Sequence, residues 1–338
     1  MPQATEVEVA AHDYSKPGKP ECDWRDVEAR NELVSALVAD ATAILAALEQ
    51  VELDEGQAEA VGLLALVAGQ DVEEGEQPGT WQIARGTAKD RVISTVDPES
   101  RHVHKNRSSY TDGYKAHVAV EPDSGLITDA ELTAGNAPDG PTGIRLLERE
   151  TQPVEVLADS AYGSGDTLTE LDKDDHLVTI KPWPTRAMTD ADDAFTIDDF
   201  DIDTTAGTVS CPGGHTVTIT PAGTARFTSR CNACPLQARC TRAKAGKILH
   251  IHPNHDQLAQ ARRDARDPDW QATYRRHRPR VERTIAWLVA RGHRRVRFRG
   301  IAANRLWLAH RAAAVNLKRL LTLGLDHNDG RWTLPTPA

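Results

Sequence analysis

The chain has 338 residues, 39% hydrophobic and 27% charged, which is enough apolar material for a sizeable core. It holds no run of 18 or more apolar residues, and its first twenty, MPQATEVEVAAHDYSKPGKP, lack the basic and apolar regions of a secretory signal, so a cytoplasmic protein with no membrane partner is expected. The net charge of −10 hides a segregation: residues 241–320 carry 20 Lys/Arg against 5 Asp/Glu, a net of +15, which leaves −25 for the rest. An acidic body with one Arg-rich arm is expected to grip a polyanion with one face.

Residues 1–85 read as a helical extension closed by an acidic linker. DWRDVEARNELVSALVADATAILAALEQ (23–50) opens with Asp23 as N-cap and sets Leu33, Leu37, Val38, Ala41, Ile44, Leu45 and Leu48 on one stripe, the pattern of an amphipathic helix. A second apolar segment, AEAVGLLALVAG (58–69), is expected to pair with it, and DVEEGEQPGT (71–80) follows as the acidic link. The acidic polar faces of both helices suit packing or spacing better than nucleic-acid recognition.

Residues 86–183 read as the first part of an α/β core. RVISTVD (91–97), YKAHVAVEP (114–122) and LITDAELTA (126–134) carry strand signals, with PDSG (122–125) as a tight hairpin connection. A helix over PTGIRLLERETQ (141–152), a strand over VEVLAD (154–159), a helix over GDTLTELDKDD (165–175) and a strand over HLVTIKP (176–182) complete the order β-β-β-α-β-α-β. Residues 184–255 read as a Cys-rich β insertion, with short strands over VTIT (216–219) and TARFTS (224–229). Residues 256–325 turn helical and basic. Their last helix, AANRLWLAHRAAAVNLKRLLTL (302–323), is expected to set Leu306, Ala309, Ala313, Leu317, Leu320 and Leu321 inward, with Trp287 and Trp307 in the core. Residues 326–338 read as a tail.

Four of the five cysteines fall in SCPGGHTVTITPAGTARFTSRCNACPLQARC (210–240), as C-x19-C-x2-C-x5-C. Clustered thiols in a reducing compartment point to metal before disulfides. The Cys231–Cys234 pair has the spacing by which one turn presents two thiolates to Zn²⁺, and Cys211 and Cys240 would complete a tetrahedron, with His215 as a competing ligand. The alternative is a degenerate knuckle that packs without metal. A zinc held by four protein ligands would be structural, since no open position remains for chemistry.

Three carboxylates stand in distinct contexts: Asp97 closing RVISTVD, Asp159 closing VEVLAD, and Glu282 inside YRRHRPRVERTIAWLVARG (274–292). Two aspartates at strand ends and a glutamate on a later helix can converge at the carboxyl edge of a sheet, forming an oxygen-only site suited to Mg²⁺ or Mn²⁺ and hence to phosphoryl transfer on nucleic acid. Arg275, Arg276, Arg278, Arg280, Arg294, Arg295, Arg297 and Arg299 bracket Glu282, and their planar guanidinium groups suit bidentate phosphate contacts. Tyr114, Lys115 and His117 on one strand read as surface packing, Asn136 and Asp139 as turn residues, and His250, His252 and His255 as a solvated linker.

STVDPESR (94–101), DGYKAHVAVEPDSGLI (112–127), TAGNAPDG (133–140), VLADSAYGS (156–164) and RPRVERTIAWL (278–288), in that order, resemble the catalytic blocks of DDE transposases of bacterial and archaeal insertion sequences. The resemblance implies an RNase H-like mixed β-sheet flanked by helices, in which the strands ending at Asp97 and Asp159 are neighbours. It implies Asp97, Asp159 and Glu282 as a metal-binding catalytic triad for DNA cleavage and strand transfer, acting on transposon ends and target DNA as a homo-oligomer on DNA. Arg278 to Glu282 matches the family's R-x3-E signature, whereas the family's Tyr precedes that Arg by three residues and Tyr274 precedes it by four; the weight falls on Glu282. Only about ninety residues precede Asp97, with no basic helix among them, so a front end shorter than the family's is expected. The alternatives are a metal-dependent nuclease of the same fold and a noncatalytic DNA-binding remnant.

Overall fold

The computed structural model describes residues 12–15, 18–106 and 109–334; residues 1–11, which enter the signal-sequence reading, and 335–338 of the tail lie outside them. The chain forms two compact units. One comprises Met1–Lys115, Leu132–Ala137 and Val296–Leu306, the other Ala116–Glu131, Pro138–Arg295 and Trp307–Ala338.

In the first unit, α1 (Val27–Leu48) starts later than expected because Asp26, not Asp23, caps it by accepting from Glu28 N at 2.9 Å. Asp23 instead closes the preceding turn by accepting from Arg25 N. Helix α2 (Glu55–Gly69) begins earlier than the apolar run suggests, since Asp54 and Gln57 form a reciprocal capping box at 2.9 and 3.0 Å. The acidic link is itself structured, as a hairpin of β1 (Val72–Glu74) and β2 (Trp81–Ile83). Ser35 of α1 ties this hairpin down, its Oγ donating to Trp81 O and accepting from Trp81 N. Among the described residues α1 alone is long and apolar enough to cross a bilayer. It nevertheless carries Asp40, buried and accepting from Tyr14 OH at 2.9 Å.

RVISTVD is not a strand. Ser94 Oγ accepts from Val96 N and Asp97 N, and Ser100 N bonds to Asp97 O, so local bonds bend this backbone before any ladder can form. The sheet starts instead at β3 (Arg101–Asn106), antiparallel to β4 (Ser109–Val120), in the order β3-β4-β5 with β5 at Ile127–Ala134. Gly135 follows β5 where a Cβ would stand 2.5 Å from Arg101 O and 2.9 Å from Gly113 O, so only glycine lets the chain leave the sheet there.

In the second unit, the expected turn after β4 forms, with Glu121 N bonded to Leu126 O and Gly125 at φ +73°. Helix α3 (Asp139–Arg145) is followed by β6 (Glu155–Ala158), α4 (Gly165–Lys173) and β7 (Leu177–Ile180), with β6 and β7 parallel and Leu168, Leu171 and Ile180 as their buried cluster. Among the described residues these two strands form their own sheet rather than joining β3-β4-β5 in one mixed sheet. The segment expected as the strand beside β6 is, among the described residues, the bend at Asp97.

The Cys-rich segment folds around its own core. Strands β8 (Asp201–Asp203), β9 (Thr208–Ser210) and β10 (Thr216–Thr218) form an antiparallel sheet, and β11 (Thr224–Arg226) pairs with a later strand, Ile248–His250. Phe195, Phe200, Val209, Ala225, Phe227 and Leu249 are buried between them. Helix α5 (Gln237–Cys240) precedes that partner strand, β12. Then come α6 (His255–Asp264), α7 (Pro268–Val289), α8 (Ile301–Thr322) and a hairpin of β13 (Asp326–Asn328) and β14 (Arg331–Thr333) within the tail.

Three expectations are corrected here. Helix α8 buries Asn304, Leu308, Ala312 and Val315, while Leu306, Leu317 and Leu321 are 61%, 53% and 58% exposed. Leu308 and Val315 lie on the buried stripe with the small Ala312, so the more numerous leucines of the opposite face misled the reading. Trp287 is 40% exposed rather than core, since Thr284 and Leu288 take the inner face of α7. The histidine run is no solvated linker: His250 ends β12, and His255 is buried as the first residue of α6.

Candidate functional site

In the first unit, Asp97 sits half-buried in the bend that leads to β3. Its Oδ1 accepts from Tyr114 OH at 2.6 Å and from Gly300 N at 3.1 Å. Tyr114 reaches it from β4. Burial first, and then the hydrogen bond to Asp97, push that phenol well above its ordinary range, because ionising it would place two negative charges on one hydrogen bond. Glu99 accepts from Ile301 N at 2.8 Å, so two acidic residues meet the first N–H groups of α8, where the helix dipole favours negative charge. Lys115 donates to Ala137 O at 2.9 Å and Asn136 to Asp90 at 2.8 Å, fixing the loop after β5. The alternation along β4 is as read, but Tyr114 and Lys115 make specific polar contacts rather than plain surface packing.

In the second unit, Asp159 follows β6 directly and is exposed. Its Oδ1 accepts from Ala161 N at 2.9 Å, capping a 3-10 turn over Ser160–Tyr162. That turn aims Tyr162 at the buried His117, with the phenol oxygen 2.8 Å from Nδ1. The Tyr162 phenol is pushed up by burial first and then by the charges of Asp139 and Asp159.

Glu282 lies on α7 with its side chain 59% exposed and accepts from Arg278 Nε at 2.7 Å. Arg278 also donates to Tyr274 OH at 2.6 Å, and the Tyr274 ring stacks on Trp270 at 5.2 Å between centroids. Tyr274, Arg278 and Glu282 stand at i, i+4 and i+8, so the four-residue gap that departs from the family pattern still keeps them on one helix face. Tyr274 thus holds the arginine that holds the glutamate, a role legible in that spacing. The bond to Glu282 chiefly, with Tyr274 adding to it, pushes the Arg278 guanidinium further up.

Each carboxylate commits one oxygen to these bonds, and the donor set is oxygen-only, the chemistry that Mg²⁺ or Mn²⁺ takes. Among the described residues no group of three or more His, Cys, Asp or Glu is drawn together as a metal site. Asp97 belongs to one unit, Asp159 and Glu282 to the other.

Of the eight arginines, Arg278 is bonded to Glu282, and Arg280 to Pro122 O and Asp123. Arg275 and Arg276 are exposed on α7. Arg294, Arg295, Arg297 and Arg299 are exposed on the irregular segment between α7 and α8, which begins where Arg291 and Gly292 take φ +59° and +81°.

Cys211, Cys231, Cys234 and Cys240 all line one small cavity in the Cys-rich segment. A Cβ on Gly213 would lie 3.2 Å from Cys234 Sγ and 3.7 Å from Cys211 Sγ, so the turn after Cys211 packs directly on the Cys231–Cys234 turn. Cys231 Sγ accepts from Lys247 N at 3.3 Å. Burial pushes the Cys240 thiol up, with Lys247 opposing. His215 lines the same cavity.

Residues 210–321 match the family described as transposase DDE domain. No curated protein and no solved structure matches the chain. The matched span holds Glu282, all eight arginines and the four clustered cysteines; Asp97 and Asp159 precede it. A transposase function, with DNA as partner, is what this domain supports, and its family typically uses divalent metals.

Proposed function

We propose that the protein is an insertion-sequence transposase that cleaves DNA and transfers the cut strand, with Asp97, Asp159 and Glu282 as the catalytic carboxylates. The observation that carries the reading is the transposase DDE match over 210–321, with Glu282 held by Arg278 and Tyr274 at the centre of the basic helix. Bound Mg²⁺ or Mn²⁺ would supply the activation of a water or a DNA 3′-hydroxyl and the stabilisation of the leaving oxygen. The chain's own part is to present carboxylate oxygens whose partners are already fixed and to hold phosphates through the exposed arginines. Assembly as a homo-oligomer on DNA belongs to the same proposal.

The test is Mg²⁺- or Mn²⁺-dependent cleavage of DNA carrying the element's terminal repeats. Asp97→Ala, Asp159→Ala and Glu282→Ala should each abolish cleavage while DNA binding persists; retained cleavage in any of them removes that residue from the triad. Strand transfer with pre-cleaved ends separates a transposase from a nuclease of the same fold, and binding without cleavage by the wild type would identify a noncatalytic remnant.

A second assignment concerns the cysteines. We propose that Cys211, Cys231, Cys234 and Cys240 hold one structural Zn²⁺. Their common cavity and the packing of the two cysteine turns against each other support it, as does the backbone N–H on Cys231 Sγ, which suits a thiolate. Purified protein should contain one zinc per chain, lost in Cys231→Ser together with Cys234→Ser. A metal-free wild type with four free thiols would assign the segment to packing alone.

A further inference from the structure

Resting on the reading of Asp97 as a catalytic carboxylate, we infer that Asn304 and Tyr114 are positioning residues that set its orientation. Asn304 lies in the first turn of α8 and is 0% exposed. Its Nδ2 donates to Phe298 O at 2.7 Å and to Gly300 O at 2.8 Å, and its Oδ1 accepts from Phe298 N at 3.1 Å. Both amide donors and the acceptor are thereby used on one stretch of main chain, which is what keeps so deeply buried an amide tolerable. The segment from Phe298 to Gly300 is held in one conformation by a side chain that touches neither substrate nor carboxylate.

That conformation ends at Gly300, with φ +79°, in the left-handed region that a side chain disfavours. A Cβ there would also lie 2.8 Å from Glu99 Oε2. Gly300 N then meets Asp97 Oδ1 at 3.1 Å, while the next amide, Ile301 N, meets Glu99. The second bond on the same Oδ1 comes from Tyr114 OH at 2.6 Å, on a strand almost two hundred residues away in sequence. Two donors from independent elements thus converge on one oxygen, and the carboxylate cannot rotate without breaking one of them. Asn304 acts through the loop and Tyr114 directly; both determine where the other oxygen of Asp97 stands.

Amide hydrogen exchange on the full chain tests the clamp without any activity. Asn304→Ala should raise exchange at Gly300 N at least tenfold and leave the β11-β12 amides unchanged. Unchanged exchange at Gly300 with the fold intact would overturn the role of Asn304. Tyr114→Phe removes a single oxygen and serves if the Asn304 variant does not fold. It should lower cleavage roughly 10- to 100-fold, as loss of an outer hydrogen-bond partner typically does, with DNA affinity unchanged. Wild-type cleavage by Tyr114→Phe, with Asp97→Ala inactive, would overturn positioning and leave the triad standing. Wild-type cleavage by Asp97→Ala would instead remove the catalytic reading of Asp97, with the exchange data still deciding the clamp.

Discussion

Histidine 255 shows how a residue read as part of a solvated linker becomes a titration device once folded. Burial pushes its imidazole below the ordinary value, and Arg262 and Arg263 push the same way against Asp256 and Asp198. The folded chain therefore resists a proton that the unfolded chain accepts near pH 6.5. The unfolded state binds more protons below that pH, so the contribution is present above it and is lost as pH falls. The urea midpoint should drop between pH 7 and pH 5 in the wild type and drop less in His255→Gln; equal slopes would show that another group governs acid sensitivity. Tyr274 is the opposite case, a residue set aside in the sequence because its spacing departs from the family's. That spacing is helical, and it joins Tyr274 to Arg278 and Glu282.

Helix α8 exposes the limit of hydrophobic patterning at the level of an element. Its leucines define a convincing stripe, yet Leu308, Ala312 and Val315 are the positions packed in the core, two of the three with Ile127 and Leu288. Leu308→Ala should cost about 2–5 kcal/mol, the range for truncating a buried leucine. Leu317→Ala, at a position 53% exposed, should stay within about 0.5 kcal/mol. Denaturant midpoints of the two variants decide the orientation, and a reversed order would restore the sequence-based face. Polar bonds settle it where apolar count does not: Asn316 is bonded to both backbone groups of Ile127, and Asn304 to the loop before the helix. At α1 and α2 the same kind of information moved the boundaries, through Asp26 and the Asp54–Gln57 box.

Over the whole molecule, charge is divided so that residues 241–320 carry +15 against −25 elsewhere. Arg294, Arg295, Arg297 and Arg299 are exposed, while Arg278 and Arg280 are internally engaged. Replacing the four exposed arginines by alanine should weaken binding to all DNA sequences and lower the slope of log K against log salt by about 0.9 for each phosphate that is no longer neutralised. The same slope in wild type and variant, measured by anisotropy across a salt series, would place the DNA-binding surface elsewhere.

The strands of the hairpin at 114–134, the helices α4 and α7, the short strands of the Cys-rich segment and the R-x3-E pair were legible in the sequence. Each is specified by local periodicity, turn chemistry or a fixed helical spacing. The conformation at Asp97 was not, because the apolar run before it looks like a strand, whereas the Ser94 hydroxyl takes the amides a ladder would need. Composition and residue order by themselves determined the basic arm, the clustering of thiols and the supply of carboxylates. Only the tertiary structure decided which oxygen of Asp97 is occupied, that Arg280 is spent on Pro122 and Asp123, and which face of α8 is buried. Those outcomes depend on hydrogen bonds between residues far apart in the chain, and local pattern carries no record of them.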